Sequence, residues 1–470
     1  MELYAYSTLL ILIFGFILQF KYYGVKYFLH PSFWFFLIWI LSVISFIIYI
    51  SVGLTYIIFD HYLIEELFVY VSFTALCFII ASSFSYKKLK NNSAKWIPKF
   101  SEEHFRIIAT TILIVSLISF VVGSGFDFNK NREIMVNQTR SAVFNKTAPT
   151  VLGIISSVLW GLNLPMLILS GYYIGNSYYL RFNKKLKRKF KKYYFYPFIT
   201  SVISTIIMGA RAGVVASLIF MIFGISLALS RYNDVSIKLL SKMAKYALIV
   251  FLAFSIFATY INVIRERSNI SNSNTVMRWS PYPILKPFSG LLEYMTDHYP
   301  GYQLRRVDSM PKEPRLGQVS LSGITMFSVP IASQLLGTPV SIQNVFDLYA
   351  PNIIIRSSDL MRTNALWEST TATVYLLLYE DWGYWGTFIA IFIFVIITQL
   401  IYNNIFRKKK VTFLSILPLT LVYFLWSQTI FSHVILGSWM TAYIYPYLVA
   451  DIISNYMKNS YRREKLILDK

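Results

Sequence analysis

Charge and cysteine are both scarce in this chain. Of its 470 residues only 14% are Asp, Glu, Lys or Arg, against about 25% in an ordinary soluble domain. The single cysteine, Cys77, lies in an apolar stretch, which leaves no disulfide framework and no cysteine-built metal site. A P-loop, HExxH, G-x-S-x-G and the D-x-D pair that holds a metal against a nucleotide diphosphate are all missing. An ATP-driven pump, a zincin protease, an α/β-hydrolase and a metal-dependent nucleotide-sugar transferase therefore lack their expected residues. The first residues, MELYAYSTLLILIFGFILQF, carry neither a basic n-region nor a small-residue cleavage site, so they read as a retained span. No internal repeat is evident.

What is present is apolar: 56% of the residues are hydrophobic and 18% aromatic. Stretches long enough to cross a bilayer, about 17–25 residues each, fall near 4–20, 32–51, 66–84, 105–123, 150–176, 194–210, 212–230, 246–264, 383–403, 411–431 and 434–453. The expected fold class is an all-α polytopic membrane protein with about 11 transmembrane helices. Three regions follow from it: helices one to eight over 1–264, a large extracytoplasmic loop over 265–382, and helices nine to eleven with a cytoplasmic tail over 383–470.

Basic residues orient that reading. With the N-terminus outside and the C-terminus inside, the inner segments hold 29 of the 44 Lys and Arg but only 6 of the 22 acidic residues. The run RFNKKLKRKFKK (181–192) dominates, as the positive-inside rule expects of a short cytoplasmic loop. The basic balance is topology, so no nucleic-acid partner is needed to account for it; the partner it implies is the lipid bilayer. The spans hold no charge near mid-membrane, which disfavours ion-coupled transport, although carbonyl-built sodium sites would escape that test.

One cation breaks the pattern. Arg211 stands between two apolar runs in IIMGARAGVVASLIF, and 193–210 and 212–230 contain no other charged side chain. The orientation puts it in a tight outer hairpin, on the same side as 265–382. Gly209 and Gly213 allow either close approach to a ligand or close packing of two helices. The long segment itself carries ten basic and ten acidic residues, and it also holds Trp279, Tyr282, Tyr294, Tyr299, Tyr302, Trp367 and Trp382, with Trp385 just beyond it. Guanidinium forks fit phosphate oxygens, and Tyr and Trp offer flat faces to carbohydrate, although such residues also serve as solvated faces and interface belts. Two short apolar stretches, 322–337 and 370–380, are expected to lie in the interface or to re-enter the membrane.

The constellation resembles the Wzy-type oligosaccharide repeat-unit (O-antigen or capsule) polymerases. The likeness covers the whole architecture. It is carried by MGARAG at the outer end of a span, by INVIRERSN with Arg265, by SGITMFSVPIASQLLG, and by TNALWESTTATVYLLLYEDWGYWG. In the last, Asn364 and Asp381–Gly383–Gly386 match an Asn-x-x-Thr segment and an Asp-aromatic-Gly-x-x-Gly entry, with Trp367 at the threonine position.

The resemblance implies a GT-C-like, metal-independent glycosyltransferase without cofactors in the bacterial cytoplasmic (inner) membrane. Its active site would face outward and serve O-antigen lipopolysaccharide, capsule or a related polysaccharide. It would move a growing glycan from undecaprenyl pyrophosphate to the next lipid-linked oligosaccharide, beside a chain-length regulator and a flippase of the same pathway. Arg211 and Arg265 are the expected pyrophosphate ligands, with Arg278, Arg305, Asn364 and Asp381 as further substrate-binding positions. For the catalytic base the sequence offers Asp297, His298 and Glu293; Asp381 is alternatively a helix cap. An O-antigen ligase-type transferase or a flippase for the same lipid are the rival readings.

Overall fold

A computed structural model describes residues 1–51, 59–89, 101–124, 151–182, 190–208, 212–232, 295–296, 298–308, 355–357, 367–369, 373–407 and 413–427, with a few isolated positions besides. Among these residues the chain is helical apart from one antiparallel ladder of three residues a side, β1 (Ile355–Ser357) with β2 (Trp367–Ser369). The helices are α1 (Glu2–Tyr23), α2 (Ser32–Ser51), α3 (His61–Leu89), α4 (Glu102–Ser124), α5 (Val151–Phe182), α6 (Tyr196–Met208), α7 (Ala212–Leu229), α8 (His298–Asp308), α9 (Val374–Arg407) and α10 (Phe413–Ser427).

Four stretches among the described residues are long and apolar enough to cross a membrane: Glu2–Leu29, Ser32–Ser51, His61–Phe84 and Val374–Phe406. Expected span 246–264 lies outside the described residues, as does most of 434–453. The chain divides into two compact units.

The first unit comprises Met1–Lys90, Met243–Tyr402 and Leu425–Thr441. Here α1 and α3 run parallel, because their contacts advance together along both helices. The Met1 ammonium meets Glu65 at 2.6 Å, Thr8 Oγ1 lies 3.0 Å from Ser72 Oγ, and Gln19 Nε2 donates to the Phe78 carbonyl at 2.9 Å. Hydroxyls and amides suit such seams, since a polar side chain between apolar helices needs a partner on the neighbouring helix. Helix α3 starts earlier than the apolar run: Asp60 Oδ1 accepts from the backbone N–H of Tyr62 (2.9 Å) and Leu63 (3.3 Å), an N-cap that adds a polar first turn.

At the opposite end His30 organises the turn between α1 and α2. Its Nε2 lies 3.0 Å from Gln399 Oε1, which can only accept, so Nε2 carries the proton. Its Nδ1 then accepts from the Ser32 backbone N–H at 3.2 Å.

Helix α9 has two legs. Gly383 adopts φ 67° inside it, a conformation that glycine reaches without a Cβ clash. The break falls where the sequence places the start of the ninth span. The second leg runs in the same direction as α1 and α3, with Phe388 against Phe73 of α3 near one end and Tyr402 against Tyr23 at the end of α1 near the other. The first leg, 374–382, starts deep: the Val374 N–H donates to the Thr429 carbonyl at 2.9 Å, and Tyr375 OH donates to Thr74 Oγ1 at 2.9 Å. Thr74 lies more than three turns into α3, so residues 374–380 begin well along that helix.

The second unit comprises Asn91–Lys242, Asn403–Phe424 and Ala442–Lys470. Its tightest seam joins α5 and α7 through glycines. A Cβ on Gly171 would stand 2.0 Å from the Met221 carbonyl oxygen, and one on Gly224 would stand 2.1 Å from that of Ile168. The backbones touch, so any side chain must push the helices apart. Beside this seam Asn163 Nδ2 donates to Ser201 Oγ and to the Pro197 carbonyl, each at 2.8 Å, joining α5 to α6.

Gly171→Ala and Gly224→Ala should each destabilise the protein by about 1–3 kcal/mol, the usual penalty of overpacking. Thermal unfolding in detergent measures it, and an unchanged midpoint in both variants would contradict the seam.

Candidate functional site

Helix α8 has the sequence HYPGYQLRRVD. Residues 299, 302, 303 and 306 recur at the spacing of one helix face, and that face is the buried one: Tyr299 and Tyr302 are fully enclosed, Gln303 is nearly so, and His298 adjoins them. The face is phenol, amide, imidazole and guanidinium rather than leucine. It therefore docks by hydrogen bonds as much as by apolar contact.

Each of those groups meets α2, α3 or the residue that caps α3. Tyr299 OH lies 2.9 Å from Ser42 Oγ, and its ring packs 4.3 Å from Phe46. Gln303 Oε1 accepts from the Asp60 N–H at 3.0 Å. The charged contact is Glu66 of α3, whose side chain is 4% exposed. It accepts from Tyr302 OH and from Arg306 Nε at 3.2 Å. Arg306 also donates to Tyr379 OH at 2.6 Å and lies with its Cζ 3.7 Å from the centre of the Tyr379 ring. Segments some 240 and 310 positions apart in the chain thus converge on one buried ion pair. Burial alone would lower the Arg306 pKa, but its bond to Glu66 and that carboxylate's charge raise it above the usual value. Burial pushes the Tyr302 phenol well up, and the neighbouring Glu66 adds to this, so it stays a donor.

His298 lies between the rings of Trp39 (5.3 Å) and Tyr299 (4.2 Å), with Nε2 3.2 Å from Ser42 Oγ. Its Nδ1 is buried without a hydrogen-bond partner. Burial holds its pKa down to about 3, so the ring is neutral at pH 7. Asp381 is fully buried in α9, two residues before the Gly383 break, and Glu380 beside it is 2% exposed. Asp381 thus stands at the end of the first leg of α9, just before the break that begins the second. Arg305 is in α8 by its backbone. Asp297, Glu293, Arg211, Arg265, Arg278 and Asn364 lie outside the described residues.

Sequence reasoning missed Glu66, Arg306 and Tyr379 as a unit. Glu66 stands at the first position of an expected span, Arg306 is one of ten basic residues in the long segment, and Tyr379 adjoins an apolar run. A signal existed in the i, i+3, i+4, i+7 recurrence of Tyr299, Tyr302, Gln303 and Arg306, which an apolar-periodicity search passes over. Among the described residues no three His, Cys, Asp or Glu side chains gather as metal ligands would.

A second polar centre belongs to the other unit. Glu102, in the first turn of α4, accepts from Lys191 Nζ (2.8 Å), Tyr193 OH (2.8 Å) and Tyr194 OH. A carboxylate is favoured there by the helix dipole as well. Burial raises the Glu102 pKa, but the Lys191, Tyr194 and Tyr193 hydrogen bonds and the Lys191 charge outweigh it and bring it down to about 2. No protein-family model, curated protein or solved structure matches the chain.

The lowered Glu102 value fixes a pH dependence. Its stabilisation is present above the unfolded value of about 4.3 and is lost as pH falls towards the folded value of about 2. Glu102→Gln should be less stable at pH 7 by about 1–2 kcal/mol, the range for charge-assisted bonds at a partly exposed site. Unfolding midpoints of both proteins across pH 7 to 2.5 should converge below about pH 4.3; a constant gap would contradict the assignment.

Proposed function

We propose that this chain polymerises lipid-linked oligosaccharide repeat units on the outer face of the bacterial cytoplasmic membrane. The observation that carries the reading is the placement of α8 and the first leg of α9. Both belong to the long polar segment before the second leg, and both are seated among apolar helices at the end that bears Met1 and Glu66. A transferase acting on a lipid-linked donor needs this combination, because the lipid stays in the bilayer while the reacting sugars are polar. The excess of basic residues in the segments expected to be cytoplasmic supports an outward-facing site.

The chemistry is a displacement at the anomeric carbon of the growing glycan. An acceptor hydroxyl of the next lipid-linked unit attacks, the bond from that carbon to the pyrophosphate oxygen breaks, and lipid pyrophosphate leaves with the bonding pair. The hydroxyl proton passes to a base, for which Asp297, His298 and Glu293 are the candidates. A positioned base contributes roughly 10²–10⁴-fold. Arg211 and Arg265 hold the leaving anion, where preplaced cations act most strongly because the charge develops in the transition state. Arg278, Arg305, Asn364 and Asp381 are further substrate contacts. Lipid pyrophosphate brings its own leaving group, so the reaction needs no nucleotide sugar on this side of the membrane.

Complementation of a polymerase-null strain with the wild type, Arg211→Lys and Arg211→Ala tests the reading on a gel of surface glycan. The wild type should restore long chains, and Arg211→Ala should leave single repeats displayed. Loss of all display would instead indicate a ligase or flippase. A wild-type ladder from Arg211→Ala would remove that arginine from the site.

A further inference from the structure

We infer that Glu66 is a positioning residue whose carboxylate seats α8, and with it the start of the long polar segment, on the membrane helices. An acid buried in the outermost turns of an otherwise apolar helix is costly unless paired. The pairing here is not with a neighbour on α3. Among the described residues its donors are Tyr302 and Arg306, both of α8, 236 and 240 residues further along the chain. Through Arg306 the same carboxylate is linked to Tyr379 on the first leg of α9. Other contacts of α8 run through Ser42, Phe46 and the Asp60 backbone. The Glu66–Arg306 pair is therefore the charged fastening of this helix. Removing Arg306 leaves the Glu66 charge buried and uncompensated, and removing Glu66 leaves a half-buried guanidinium without its carboxylate; either favours release of α8 rather than a local adjustment.

The inference rests on the proposed function only for its consequence in glycan synthesis, where poor seating of α8 would lower polymer yield. Docking itself can be read without substrate. Gln303 is 2% exposed and faces α3, so a cysteine there reacts with a soluble maleimide only when α8 lifts. In detergent-purified Gln303→Cys protein, Glu66→Gln and Arg306→Gln should each speed labelling by on the order of tenfold or more, as loss of one partner of a buried pair implies. The double variant Glu66→Gln, Arg306→Gln should label no faster than the quicker single, because the two residues act through one interaction. Native Cys77, buried within α3, is the control for the fold. It should stay unlabelled in all these proteins. Unchanged Gln303→Cys labelling in either single variant, or effects that add in the double, would overturn the assignment. So would labelling of Cys77 in Glu66→Gln, because the pair would then hold the helical unit as a whole. Faster Gln303→Cys labelling in the variants, together with no polymerase activity in the wild type, would refute the function and leave this role of Glu66 standing.

Discussion

The Glu66 carboxylate is the point on which the described site depends. Water is scarce among the helices, so a buried acid persists only if protein groups replace its hydration. Those groups are the Tyr302 phenol and the Arg306 guanidinium. Meeting that demand draws α8 against α3 and orders Arg306 over the Tyr379 ring. The same docking encloses the His298 ring between Trp39 and Tyr299. Gly383 serves the arrangement from the other side, because its left-handed conformation lets 374–382 lie against Thr74 while the rest of α9 continues as a long apolar helix.

The two units use different means of packing. In the first, polar side chains bridge helices: Thr8 with Ser72, Gln19 with Phe78, His30 with Gln399. In the second, α5 and α7 bring backbone against backbone at Gly171 and Gly224, the close approach that small residues permit where no hydrophobic driving force separates protein from lipid. Glu102 adds a charged tie at the start of α4, gathering Lys191 and two tyrosines from the turn before α6.

Apolar run length located the helices well. The expected stretch 32–51 is α2 to the residue, and Gly383 marks both the expected start of the ninth span and the break in α9. Helix α3 begins at His61 rather than near 66 because Asp60 caps a polar first turn that hydropathy alone does not count. Of the 370–380 stretch, residues 374–380 form the first leg of α9, a helix that its apolar composition suits. The site was less legible. Helix α8 hides its helical period in tyrosine, glutamine and arginine, residues that composition assigns to solvent. Glu66 takes its meaning from Arg306, and a contact over 240 residues leaves no mark in local sequence. Of the expected site residues, His298 and Asp381 are buried within the first unit.

The proposed chemistry follows from a lipid-anchored donor and a polar segment seated at one end of apolar helices. The most direct measurement is reconstitution of the purified chain in liposomes with polyprenyl-pyrophosphate-linked repeat units as the sole substrate, with a metal chelator present. The account predicts a ladder of products differing by one repeat, with polyprenyl pyrophosphate released for each linkage formed. Repeat units recovered unchanged by active, folded protein, or merely moved between leaflets, would contradict it.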